Sequence, residues 1–356
     1  MERNLMDLKK ELWVRTESLF GTLAVLALSL LPYVSPATAA PSNVQVVESY
    51  DPAQMQFAEN LAVDYKGNIY VSLGGAIAKR TPDGQQTITK LSIPGFIQAI
   101  ALDVQGHVYV GVLSPTPEPD TEGVWVVPPD GGTPYRVFTL PPGGRLNGLT
   151  FDSQGNMYIA DPINGLIYKV PNGSTQATVW LDSPLLKPVP GKFITPPGGG
   201  FTFPALGANG IKVYKNAVWV SNTVQEIITQ IPIKSDGSAG TPQVRFTNIM
   251  SDDFAFDVAG NLYTATDADN EIVKFSPDGT RTVIAGPQDG ILGPSAVAFG
   301  RLPGDRNTLY ITDISIFTTE QHPALLKTQV NLPGYPVPIP YVRNAGQGGD
   351  SQGENN

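Results

Sequence analysis

Leu61-Ala-Val-Asp64-Tyr-Lys-Gly67-Asn-Ile-Tyr70 is a short alternating apolar run, a polar turn and a second apolar run that carries an aromatic. The phrase returns as Ile100-Ala-Leu-Asp103-Val-Gln-Gly106-His-Val-Tyr109 and as Leu149-Thr-Phe-Asp152-Ser-Gln-Gly155-Asn-Met-Tyr158. A further copy is Phe254-Ala-Phe-Asp257-Val-Ala-Gly260-Asn-Leu-Tyr263. Degenerate copies stand at Ile211 to Trp219 and from Ala296 through Leu309-Tyr310. Each copy reads as a β-hairpin whose turn is Asp-x-x-Gly, the glycine supplying the positive φ.

Two more strands follow each hairpin. The third is exemplified by Gly123 to Val127 before Pro129-Asp-Gly131, and by Glu271 to Phe275 before Pro277-Asp-Gly279. The fourth is exemplified by Thr87 to Ser92 and Arg281 to Ala285. Four strands repeated every ~40 to 60 residues predict an all-β, six-bladed β-propeller with four-stranded antiparallel blades. The last blade has three good strands of its own, ending near Val330. Val44 to Ser49 supplies the fourth, which closes the ring and removes an open edge.

The rest of the composition agrees. The chain has 356 residues, 37 glycines, 33 prolines and 41% hydrophobic residues, which suits many short strands joined by tight turns. Net charge is -9, and no basic run follows residue 15, so neither nucleic acid nor an anionic membrane is an expected partner. Cysteine is absent, which excludes disulfides, thiolate metal sites and cysteine nucleophiles. Lys9, Lys10 and Arg15 precede the apolar stretch Leu19 to Val34, and Ala37-Thr38-Ala39 fits a cleavage site. Residues 1–39 therefore read as a signal peptide, with an uncleaved anchor as the alternative, and the mature protein is expected to be exported. The propeller is expected over 40–341. The tail 342–356, rich in Gly, Asn, Gln and Asp, is expected to be disordered.

The repeated aspartate also serves as a ruler. Five residues before it, or before its substitute, stand Glu59, Gln98, Asn147, Asn209, Asp252 and Ser295. All are polar, and each begins an otherwise apolar inner strand. In a propeller these positions converge around the mouth of the central channel. Carboxylates and amide oxygens without His or Cys make a hard-oxygen site that favours Ca²⁺, then Mg²⁺ or Mn²⁺, with Zn²⁺ further down the order. His107 falls in a hairpin turn and His322 in a long segment, so both read as surface residues.

With these residues in place the chain resembles the gluconolactonase, regucalcin and luciferin-regenerating-enzyme family of six-bladed propellers. The resemblance implies one divalent cation in the channel, held by Glu59, Asn209 and Asp252. It implies that Asp252 is the catalytic base and that Arg145 and Asn147, in Arg145-Leu-Asn147-Gly148, contact substrate. Gln98 and Asp253 are further substrate-binding candidates. Asp253 departs from the family, which has Gly there; adjacent acids are closer to paraoxonase-type propellers, which also use channel histidines. The implied activity is hydrolysis of a small-molecule lactone or ester by an exported monomer. Two alternatives stay open: a non-enzymatic NHL-like propeller that binds a protein or glycan around a structural metal, and a non-hydrolytic enzyme of strictosidine-synthase or cyclase type. The segment from Pro184 to Gly207, with Phe193, Phe201 and Phe203, is expected to form a lid, and Asp161, Asn164, Asn222, Asp267 and Asn270 to border the same pocket.

Overall fold

In a computed structural model the described residues are 43–114, 121–141, 143–195, 203–204 (backbone only), 206–316, 318 and 320–343. The expected signal peptide, residues 1–39, and residues from 344 onward lie outside them. The described residues build six four-stranded antiparallel sheets, plus a two-stranded ribbon of Phe193–Ile194 with Phe203–Pro204. Blades 1 to 5 occupy 58–90, 96–139, 149–182, 208–247 and 254–285. Blade 6 is Pro294–Phe299, Thr308–Asp313 and Ala324–Gln329, with Gln45–Ser49 as its outer strand. The pairing runs antiparallel, Gln45 opposite Lys327 and Ser49 opposite Ala324, so the N-terminal strand closes the ring as expected. Six hydrophobic clusters hold the propeller, each shared by one pair of neighbouring blades.

The repeated phrase is a hydrogen-bonding device. In blade 1, Asp64 Oδ1 accepts from the N–H groups of Lys66 and Asn68, and Oδ2 accepts from Asn68 Nδ2 and the Tyr70 hydroxyl. Gly67 sits at φ 78°. Asp152 and Asp257 repeat the set, with Asn156 and Tyr158 and with Asn261 and Tyr263. In blade 2, His107 replaces the asparagine and meets Asp103 Oδ2 through Nδ1 at 2.8 Å. That histidine is a turn residue, and His322 is exposed at the surface.

The chain does not stop at the last strand. Residues 331–343 run as a proline-rich strap across the lower face, where the Asp turns lie. Tyr335 N–H donates to Phe256 O of blade 5, and the Arg301 guanidinium of blade 6 donates to Val337 O. Val104 N–H of blade 2 donates to Pro340 O, and Asn172 Nδ2 of blade 3 donates to Tyr341 O. The strap is described through Arg343, whose N–H donates to Asn172 Oδ1. Val342 is buried in the cluster between blades 2 and 3, and its N–H meets Gln105 Oε1. A partly open cavity of about 370 Å³ lies between this strap and the inner strands. Its lining includes Leu61, Ile100, Phe151 and Lys212 from the inner strands and Tyr335 and Ile339 from the strap.

Candidate functional site

The polar ring is built by backbone irregularity. Register shifts interrupt the inner strands between Ala58 and Leu61, Ile97 and Ala99, Ala208 and Ile211, and Pro294 and Ala296. Glu59, Gln98, Asn209 and Ser295 lie inside those shifts. Bulges of this kind re-aim a side chain that the strand's alternation would otherwise fix. In blades 3 and 5 the inner strand starts later, and the N–H of the equivalent residue donates to the second strand: Asn147 N–H to Ala160 O, and Asp252 N–H to Ala265 O.

Crowding at the axis dictates the residue that follows. A Cβ on Gly148 would lie 2.4 Å from Asn209 O, and one on Gly210 would lie 2.3 Å from Asp252 O. The Asn147-Gly148 and Asn209-Gly210 pairs therefore let the backbones of neighbouring blades touch. Cross-blade hydroxyls complete the collar. Ser221 Oγ donates to Asp252 O, Thr312 Oγ1 to Glu59 O, and Ser295 Oγ to Ala58 O. Ser295 is thus a ring-closing tie.

Asn209 has a defined orientation. Thr223 Oγ1 donates its proton to Ser251 O, so toward Asn209 it can only accept. The Asn209 amide must present Nδ2 to it, at 2.9 Å. Its Oδ1 is thereby turned away, buried and without a partner. The carboxylates nearby are equally short of donors. Burial, then Asp267 and Asp253, push Glu59 up to about 8. Burial, then Glu59, Asp267 and Asp253, push Asp252 well above the usual carboxylate range, against a lowering contact from Asn209. Asp267, in the loop after the second strand of blade 5, is raised to about 6, mainly by burial. The structure therefore brings Glu59, Asn209, Asp252 and Asp267 together electrostatically. Among the described residues no three His, Cys, Asp or Glu side chains form a metal-holding group.

The other expected residues divide. Asn147 is buried at the blade 3 position and Gln98 is partly buried at the blade 2 position. Arg145 has an exposed side chain, within electrostatic reach of Glu122, and its N–H donates to Asp161 Oδ1. Asp253 is not open to a substrate: its carboxylate is buried against Lys212 and Asn60. Asp161 is consumed by the N–H groups of Arg145, Ile163 and Asn164 and by Asn164 Nδ2. Asn222 Nδ2 donates to Leu185 O and Lys187 O, so it anchors the segment expected to be a lid. That segment is held over blades 3 and 4, with Lys187 Nζ on Asn164 O and Phe193 exposed. Phe201 lies outside the described residues. Lys212, Asn60 and Thr223 were missed in the sequence. A lysine inside the apolar run Ile211-Lys212-Val213 was the one visible signal.

Fold and site together define a six-bladed propeller with an acid- and amide-lined axial mouth. No family model matches the chain. A 6-deoxy-6-sulfogluconolactonase of Pseudomonas putida is 30% identical over 146 residues, 37% of this chain and 49% of the relative. The chain thus spans about half the length of the curated relative it matches. Among solved structures, a luciferin-regenerating enzyme is 14% identical with a TM-score of 0.62, covering 84% of this chain and all of that one. The calcium-binding protein regucalcin of Agrobacterium tumefaciens is 15% identical with a TM-score of 0.58, over 85% of this chain and 97% of that one. These neighbours are of the group the sequence resembles, and the fold is theirs.

Proposed function

We propose that the chain is an exported, divalent-cation-dependent hydrolase of a small-molecule lactone or ester, of the gluconolactonase type. The observation that carries this reading is the Asn209 Oδ1: a buried, partnerless acceptor beside Asp252, whose ionisation Glu59 opposes. An unpaired buried acceptor costs about 1–3 kcal/mol, and crowded carboxylates cost more unless a cation lies between them. Both deficits are of the kind a hard divalent cation removes. Glu59, Asn209 and Asp252 would hold it, with Ca²⁺ preferred for an all-oxygen set. Once bound, the cation supplies Lewis-acid polarisation of the ester carbonyl.

The chain's own groups do the rest. Asn147 and Gln98 present amides to the substrate from the neighbouring blade positions, and Arg145 stands at the exposed rim. Asp252, short of donors and high in proton affinity, takes the proton from an attacking water. Export rests on the leader-like residues 1–39. The likeness to a sulfogluconolactonase and to gluconolactonase-group propellers supports the substrate class.

The reading is tested by measuring hydrolysis across a panel of lactones and aryl esters, with and without chelator. Hydrolysis that chelator abolishes and Ca²⁺ restores is the expected result. A chelator effect on melting temperature, with no hydrolysis of any member, would favour the non-enzymatic alternative.

A further inference from the structure

Beneath the acidic ring the channel has a charged floor that the reaction does not use. Lys212, on the inner strand of blade 4, reaches both carboxylate oxygens of Asp253 on blade 5. Asp253 Oδ2 also accepts from Asn60 Nδ2 of blade 1 at 3.2 Å, and Oδ1 from the Phe254 N–H at 2.8 Å. The lysine lies over the Phe254 ring, 6.0 Å from its centroid. Its side chain is 15% exposed and that of Asp253 is 4% exposed. On its lower side Lys212 lines the axial cavity. The group thus ties three blades across the channel, between the ring above and the cavity below.

Its composition is informative. After Asn147 and Asn209 the chain places glycine; after Asp252 it places a carboxylate. A buried ion pair is rarely the most stable way to fill such a space, because apolar side chains avoid its desolvation cost. What apolar side chains cannot do is set the local charge. Asp253 adds a negative charge next to Asp252 in the chain, and Lys212, paired with it, carries the opposite one.

We propose that Lys212 and Asp253 are a charge-setting pair: Asp253 strengthens the pull of the site on a divalent cation, Lys212 weakens it, and their balance fixes cation affinity. Both are positioning residues that act through the ring above. The inference rests on the reading that a cation is held by Glu59, Asn209 and Asp252.

The test is calorimetric titration of the purified chain with CaCl2 alone, at mildly alkaline pH so that the carboxylates stay ionised. Lys212→Met is expected to bind Ca²⁺ about tenfold more tightly and Asp253→Asn about tenfold more weakly. The double variant should return to within about threefold of the parent, and Lys212→Arg should match it. Opposite signs are the signature, because a merely structural pair would weaken binding in every variant. Weaker binding in both single variants, or no change in either, overturns the proposal. Where Lys212→Met does not fold, Lys212→Gln carries the same expectation and the same refutation. A parent chain that binds no Ca²⁺ overturns the cation reading itself, and this inference with it.

Discussion

At the lower end of the channel, Asp64, Asp103, Asp152 and Asp257 each accept from two backbone N–H groups, a side chain two residues before the aromatic and a tyrosine hydroxyl. At the upper end, Asp252 has one helpful amide and three carboxylates that oppose its ionisation. Asp257 stands five positions after Asp252 in the chain. The difference between them is donor supply. An aspartate surrounded by N–H groups is part of the scaffold; one surrounded by other acids is waiting for a cation or a proton.

The contrast can be broken from either end. The largest expected effect is at the top. Asp252→Asn should lower lactone or ester turnover about a thousandfold, because ligand and base are lost together, as steady-state kinetics would show. The same variant in chelator should melt no lower than the parent, since it removes a buried repulsion. At the bottom the pattern inverts. Asp257→Ala strands several buried donors and should cost about 3 kcal/mol in denaturant unfolding while leaving Ca²⁺ affinity unchanged. A turn variant that abolished cation binding would show that the two ends are not separate.

Between these lies Gly210. An alanine there forces Asn209 and Asp252 apart by driving a methyl into the Asp252 carbonyl. About 2 kcal/mol of destabilisation is expected, with weaker Ca²⁺ binding measured alongside. The last effect, of similar size, is on pH dependence. Glu59 rises from its ordinary 4.5 to about 8 in the folded chain, so the stability it contributes is complete below about 4.5 and is lost as pH rises through about 8. Asp313, a buried carboxylate with an unpartnered oxygen, is raised to about 7 mainly by burial and adds to the same trend. Thermal melts in chelator should therefore fall across neutral pH by the equivalent of about 2 kcal/mol, and saturating Ca²⁺ should flatten the Glu59 part of that slope.

The lower end was far more legible in the sequence than the upper. Each Asp turn closes within seven residues, so the phrase Asp64 to Tyr70 contains all its own partners. Blade number, strand order and the closing role of Gln45–Ser49 follow from repeating it. The ring positions could be counted from it because the spacing is constant, although the bulges that aim Glu59 and Asn209 leave no local mark. What could not be read are contacts made only once the ring closes. Asp253 meets Asn60 across 193 residues of chain, and Asn172 meets the strap across 169. Asp253 therefore looked like a substrate contact, and Asn222 like pocket rim, when each is held by a partner from another segment; Asp161 is held chiefly by its own turn. The strap itself, Leu332-Pro-Gly-Tyr-Pro-Val-Pro-Ile-Pro340, has no strand periodicity and was hidden for that reason.

The central claim is that the upper ring, and not the strap-covered lower end, holds a divalent cation. Crystals of the chain soaked in Mn²⁺, a Ca²⁺ surrogate with a strong anomalous signal, test it directly. One anomalous peak bounded by Glu59, Asn209 Oδ1 and Asp252 is the predicted result, and it should vanish in Asp252→Asn. No peak there, or a peak confined to the cavity beneath Lys212, would contradict the account.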